Sequence, residues 1–110
     1  MANTFKLKTK ANVGVTTVGI YTAPAATTTV VIGITLANTS GSGVNVGVAV
    51  SRTSATKEDI KLLKNAPIPS GSSLEFMSGN KIVLETSDQI NVDSDTNNSV
   101  DAALTIMEIT

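Results

Sequence analysis

Hydrophobic and polar residues alternate along much of the chain, most regularly over residues 44–50. Valine stands there at every second position, and only small or polar residues lie between the valines. A period of two places one set of side chains on one face of a β-strand and the other set on the opposite face. The pattern therefore predicts a half-buried strand whose inner face is lined with valine.

The same alternation recurs from Val13 to the C-terminus, interrupted by turn residues. It predicts a first strand from Val13 to Ile20 and a hairpin that joins residues 30–37 to residues 44–50. Shorter strands are predicted at Leu74–Met77, Lys81–Glu85, Gln89–Asp93 and Ser99–Ile109, with turns at 78–80, 86–88 and 95–98. Strands repeated every 8–12 residues or so, each followed by a turn, indicate an all-β fold. We predict roughly seven or eight antiparallel strands, arranged as a sandwich or a barrel.

The polar stretch from Arg52 to Asp59 leaves two predictions open for the residues that follow. Thr56 and Asp59 have the spacing of a helix-capping pair, which favours one helical turn over residues 55–63. The alternative, which we favour, is a strand from Ile60 to Asn65.

Composition narrows the chemistry more than it narrows the fold. The chain has no histidine and no cysteine, and aromatic residues make up 3% of it. A Ser-His-Asp triad, a Cys-His pair, a His-ligated metal and a disulfide framework are therefore excluded. No Gly-rich phosphate-binding motif is present either. We predict that the chain is not an enzyme and that it has no cofactor.

Charge is distributed unevenly, although the net charge is only −1. Residues 82–110 hold six acidic residues and no basic one, whereas Lys6, Lys8 and Lys10 lie near the N-terminus. The lysines fit an edge strand protected by charge, or a basic arm that docks on an acidic surface. Residues 1–11 are accordingly predicted as an N-terminal arm or edge segment, and residues 12–110 as the sandwich domain. The low net charge argues against nucleic-acid binding.

Membrane and export signals are not apparent in the sequence. The first residues carry no apolar stretch of the kind found in signal peptides, and no apolar run approaches the roughly 20 residues of a membrane span. We expect synthesis in a cytoplasm and no contact with a membrane.

One segment has the oxygen ligands that calcium prefers. Asp93, Asp95 and Asn97 alternate, and Asp101 follows them. The spacing is similar to that of a calcium-binding loop, but Leu104 stands where the bidentate glutamate is required. Asn98 stands at the glycine position of such a loop, where asparagine can still adopt a left-handed conformation. An Asx-rich β-turn is the favoured alternative.

Several segments share a pattern of turns followed by strands. They are YTAPAATTTVVIG (21–33), LANTSG (36–41), NAPIPSGSSLE (65–75), KIVLETSD (81–88) and IMEIT (106–110). In these segments the chain resembles small structural proteins of tailed bacteriophages, particularly marine and cyanobacterial phages. The resemblance covers most of the chain from about Asn12 onward. The sequence departs from the family pattern at Arg52–Asp59.

The resemblance implies a virion component with an antiparallel β-sandwich or jelly-roll-like fold, present in many copies and made in the host cytoplasm. A capsid decoration or cement protein that binds the major capsid protein is the first expectation, as a homo-oligomer for which a trimer is the commonest arrangement. A neck, tail or fibre-associated protein and a host-glycan-binding adhesion module remain as alternatives. The residues predicted to contribute to contacts between subunits are Phe5, Lys6, Lys8, Lys10, Gly33, Gly47 and Arg52.

Overall fold

The computed structural model describes residues 2–53, 57–76 and 81–110. In these ranges the chain forms nine β-strands and no helix. The strands are β1 Asn3–Val13, β2 Val18–Thr22, β3 Thr28–Asn38, β4 Val44–Ser51, β5 Ile60–Ile68, β6 Ser73–Phe76, β7 Ile82–Leu84, β8 Gln89–Ser94 and β9 Val100–Ile109. The prediction of an all-β fold is confirmed.

The strands form two antiparallel sheets, one of five strands and one of four. In the five-stranded sheet the order is β1-β9-β3, and the far side of β3 pairs with β6 along one half and with β7 along the other. In the four-stranded sheet the order is β2-β8-β4-β5. Because β6 and β7 occupy one strand position, the two orders are those of an eight-position jelly roll.

The core lies between the two sheets and is filled mainly by aliphatic side chains. Alternate residues of β4 point into it, namely Val44, Val46, Val48 and Val50, none of which is more than 4% exposed. From β9 come Val100, Ala102, Leu104 and Ile106. Tyr21 is the aromatic residue among the buried side chains of the described chain. Stiff β-branched side chains suit such a layer because they fill a pleated surface with little loss of rotamer freedom.

The N-terminal region differs most from the prediction. Val13 ends β1 and does not begin a strand that reaches Ile20, so the predicted first strand is wrong. Asn12 has φ of 59°, and the pairing of β1 with β9 shifts between Lys10 and Val13. Pairing resumes after this bulge, where Val13 lies opposite Val100, and the chain then crosses to the four-stranded sheet. The lysine-rich segment is an edge strand of the five-stranded sheet, which is one of the two interpretations that the lysines allowed.

Residues 60–68 form β5, the strand that we favoured for this region. The helical alternative is wrong for Ile60–Leu63, which pair with β4. The register of that pair shifts twice, and Asn65 has φ of 54°. Thr56 of the predicted capping pair and the predicted turn at 78–80 lie outside the described residues.

Candidate interaction surface

The outer face of the five-stranded sheet carries a row of large apolar side chains. Pairing places Phe5 opposite Met107, Met107 opposite Val30, and Val30 opposite Val83. Directly paired residues in antiparallel strands share one face of the sheet. These four residues, which we call the apolar row, therefore cross the whole sheet from β1 to β7.

The apolar row is open to solvent to an unusual degree for large hydrophobic residues. Phe5 is 68% exposed and Val83 is 56% exposed, while Val30 and Met107 are half-buried. Leu7, which follows on the same side of β1, is 64% exposed. Contiguous exposed apolar surface is a common mark of a site where another molecule binds.

Mostly small side chains occupy the same face farther along the strands. The middle row consists of Leu7, Thr105 and Gly33, and the next row, the small row, consists of Thr9, Ala103, Thr35 and Glu75. A shallow depression of about 220 Å³ lies over Gly33 and Ala103, and a second of about 300 Å³ lies over Thr9 and Asp101. The outer face thus has a raised end and a hollow end.

A bulge in β3 contributes to the difference in height between the two ends of this face. The pairing of β3 with β9 shifts between Val31 and Gly33, so Ile32 is inserted without a partner of its own. A β-carbon built on Gly33 would meet no atom within 4 Å. Gly33, predicted as a contact residue, therefore lies on the open surface, where a neighbouring molecule can approach the backbone closely.

Behind the apolar row, on the inner side of the sheet, Glu108 is the centre of a hydrogen-bonded group. The Tyr21 hydroxyl donates to Glu108 Oε2 at 2.6 Å, and Lys6 Nζ lies 2.9 Å from Oε1. Thr29, which is fully buried, places its hydroxyl 2.8 Å from that of Tyr21. The group joins β1, β2, β3 and β9, so it fixes the edge strand against the rest of the sandwich.

These contacts shift the pKa values of both titratable partners. The hydrogen bonds from Tyr21 and Lys6 lower the pKa of Glu108 from its ordinary value, although burial acts in the opposite direction. Burial raises the pKa of Tyr21 to about 12, and the hydrogen bond to Glu108 adds to the increase. At neutral pH the group therefore holds an ionised carboxylate and a protonated phenol.

The three predicted contact lysines have different positions. Lys6 is bound to Glu108 and serves the sandwich itself. Lys8 and Lys10 pair opposite Leu104 and Ala102, which places them on the inner side of β1, away from the apolar row. Lys8 is half-buried and Lys10 is exposed. Phe5 and the lysines consequently belong to opposite sides of the same strand.

Arg52, another predicted contact residue, links the two sheets. It follows β4, and its Nε donates to Asp88 Oδ1 at 3.1 Å. Its Nη2 lies 2.6 Å from Glu85 Oε1 and 3.1 Å from Asp88 Oδ2. Lys57 Nζ lies 2.7 Å from the same Glu85 oxygen. Burial alone would raise the pKa of Asp88, but Arg52 and the Glu85 backbone N–H outweigh it and hold that pKa below its ordinary value.

Gly47 lies on the outer face of the four-stranded sheet, remote from the apolar row. It pairs opposite Asp93, and a β-carbon at this position would lie 2.5 Å from Asp93 Oδ1. The missing side chain at Gly47 therefore makes room for the Asp93 carboxylate of the same molecule. The predicted contact residues therefore fall into four separate regions, and only Phe5 and Gly33 lie together on the outer face of the five-stranded sheet.

The predicted calcium ligands are not brought together as one site. Asp93 Oδ2 accepts from the Thr17 hydroxyl, Asp95 Oδ1 from Asn45 N, Asn97 Oδ1 from Val15 N and Asp101 Oδ1 from Asn12 N. Within the described ranges no three His, Cys, Asp or Glu residues are grouped to hold a metal ion. Asn98 has φ of 52°, a left-handed conformation that asparagine tolerates in a turn. These four side-chain oxygens accept hydrogen bonds that hold the surrounding loops in place.

Sequence reasoning found Phe5 and Gly33 on this surface but missed Met107, Val30 and Val83. Each of these residues follows the alternation of its own strand, so the sequence does mark it as lying opposite the buried set. What joins the three residues is the register between strands that are far apart in the chain. A local pattern cannot supply that register.

Comparison of the chain with protein-family models, with curated proteins and with solved structures found no match. The described part of the chain contains no helix with the length and apolar character needed to cross a bilayer. The surface described above is therefore the main structural basis for a functional conclusion.

Proposed function

We propose that this chain is a structural protein of a tailed-phage virion, of the head decoration or cement type, and that it acts by contact without catalysis. The observation that carries the proposal is the apolar row on the outer face of a jelly roll. Exposed aromatic and aliphatic side chains aligned across four strands favour a protein that works within an assembly.

The fold supports the proposal as an analogy. Jelly rolls are common among viral capsid domains, but the same architecture also occurs in lectins and cupins, so the fold alone does not determine function. The turn-and-strand segments that resemble small phage structural proteins make the virion the favoured setting.

A rigid sandwich suits a role in reinforcing a shell. Arg52 ties the end of β4 to the loop after β7, and Glu108 ties β1 to three other strands. Such cross-links limit the deformation of a subunit that transmits load. Many identical copies, each bound to the major capsid protein by a modest interface, would together contribute avidity.

The direct test is the number of copies per particle. Quantitative mass spectrometry of purified virions from the phage that encodes this sequence should give a copy number of the same order as that of the major capsid protein. Stripped particles should lose resistance to heat and regain it when the purified protein is added back. A ratio of a few copies per particle would refute the decoration role and favour the neck, tail or fibre alternative.

A glycan-binding adhesion module makes a different prediction. Purified protein would then bind a sugar saturably on a glycan array, whereas a shell component should show no saturable binding. Absence of the protein from purified virions would refute the virion proposal as a whole.

A further inference from the structure

We propose that the outer face of the five-stranded sheet binds a second copy of this chain, related by a two-fold axis that lies in the interface along the middle row. The proposal adds a partner to the surface described above. It concerns self-association in solution and does not depend on the virion role.

The arrangement of side chains on the face makes it complementary to itself. The apolar row and the small row lie on opposite sides of the middle row, at equal separation along the strands. A two-fold axis along the middle row would place Met107 of one copy over Ala103 of the other, and Phe5 over Thr9. Large side chains would thus enter the depressions over the small row, as the interdigitation of packed sheets requires.

The middle row would meet its own copy. Leu7, which is 64% exposed, would pack against Leu7 of the second copy. Gly33 leaves the surface low where the two backbones approach. At the rim, Glu75 would lie opposite β7 of the second copy. Lys81 precedes that strand, so the Glu75 carboxylate would remain hydrated and would lie near the Lys81 ammonium group.

The area of the face suits a dimer of modest affinity that dissociates on dilution. From Asp101 to Ile109, β9 is roughly 27 Å long, and four strands at about 4.8 Å spacing give a width of about 19 Å. Two such faces together would bury on the order of 1,000 Å², which is near the lower limit expected for a specific interface.

The free edge of β1 offers an alternative dimer, in which two five-stranded sheets join side by side. An antiparallel pair of β1 strands that keeps Phe5 and Leu7 on one side would place the lysines of the two copies opposite each other. Like charges in directly opposed positions destabilise a strand pair. The lysines therefore disfavour edge-to-edge pairing and leave the face as the surface for self-association.

Analytical ultracentrifugation over a concentration series tests the proposal. The unmodified chain should be a dimer that dissociates on dilution. Ala103→Trp, which fills the hollow, and Met107→Glu, which charges the raised end, should each weaken the dimer at least about tenfold. Ala49→Glu is the matched control because Ala49 is also half-buried and outward-facing, but on the other sheet and opposite Lys61.

Cross-linking tests the axis itself. The chain has no cysteine, so a single Thr105→Cys substitution introduces one reactive site in the middle row. Sheets that pack face to face lie about 10 Å apart, a distance that a short bismaleimide reagent spans. Thr105→Cys should yield a covalent dimer at high efficiency, and Asn45→Cys on the other sheet should not.

Three results would overturn the proposal. They are a monomer at every concentration, a trimer, and a dimer that neither Ala103→Trp nor Met107→Glu weakens. Circular dichroism of each variant shows whether it is folded, and the Thr105→Cys result covers the case in which a variant does not fold. A monomer that is nevertheless abundant in virions would refute the dimer and leave the proposed function intact.

Discussion

The two outer faces of the sandwich are built on the same alternation but carry opposite kinds of side chain. On the four-stranded sheet the outward residues are small or polar, among them Asn45, Ser51, Asn91 and Asp93. They bind one another, as when Asn91 donates to the Ser51 hydroxyl. On the five-stranded sheet the outward residues include the apolar row.

Folding alone does not explain the apolar row. Both inner faces are apolar because burial between the sheets drives folding. An outer face in contact with water needs no such residues, and the four-stranded sheet folds without them. The large exposed side chains on the other sheet are therefore best explained by a contact with another molecule.

The largest effect is expected where both sheets are alike, in the core. Val48 is 1% exposed, and Val48→Asp would bury a carboxylate without a partner. Such a burial costs several kcal/mol against a total stability of about 5–15 kcal/mol, so the domain should unfold. Met107→Asp, on the outer side of the other sheet, should remain folded. Circular dichroism and urea denaturation measure both, and a folded Val48→Asp would contradict the assignment of inner and outer faces.

The next effect tests the link between the two sheets. Arg52→Ala would leave the Asp88 carboxylate, whose side chain is 3% exposed, without its charged partner. We expect a loss of stability in urea that is smaller than for a fully buried pair, because Arg52 itself is partly exposed. Arg52→Lys should recover part of the loss, since a lysine restores charge but not two-pronged binding. If Arg52→Ala and the unmodified chain unfold at the same urea concentration, the pairing of Arg52 with Asp88 does not stabilise the domain.

The hydrogen-bonded group behind the apolar row should respond to pH at both ends of the scale. The lowered pKa of Glu108 means that stability is full above its unfolded pKa of about 4.3 and falls as the pH drops through the folded value. The raised pKa of Tyr21, about 12, means that stability is full below its unfolded pKa near 10 and falls as the pH rises toward the folded value.

A plot of stability against pH should therefore have an acid limb and an alkaline limb, and Tyr21→Phe separates the two. It should remove the alkaline limb and cost roughly 1–2 kcal/mol at neutral pH, because Glu108 and Thr29 lose a hydrogen-bond partner. The acid limb should persist, since Asp88 also has a lowered pKa. Thermal denaturation across pH gives both limbs, and an unchanged alkaline limb in the variant would contradict the role of Tyr21.

The smallest effect compares one glycine from each outer face. At Gly33 a β-carbon has free space, so Gly33→Ala should stabilise the monomer by about 0.5 kcal/mol through the lower backbone entropy of the unfolded chain. At Gly47 the added carbon would displace Asp93, so Gly47→Ala should gain nothing or lose up to about 1 kcal/mol. Dilute samples keep self-association out of the comparison, and the reverse order of the two effects would contradict it.

The inner faces and most strand positions could be predicted because they depend on the local alternation of residues. The β4 valines and the strand at Ile60–Asn65 are examples. The split between β1 and β2 could not be predicted, because Asn12 takes a left-handed conformation within a run that otherwise reads as extended. The apolar row and the partners of Arg52 depend on contacts between distant residues, such as Phe5 with Met107 and Arg52 with Asp88.

The position of β9 has a consequence for synthesis. This strand comes last of the nine but lies between β1 and β3, so the five-stranded sheet lacks its centre until β9 has left the ribosome. Pairings between such distant segments form slowly because the long loop must close first. While the nascent chain waits, Phe5 and Leu7 have no sheet to join, and the neighbouring lysines then serve to keep the growing polypeptide from aggregating.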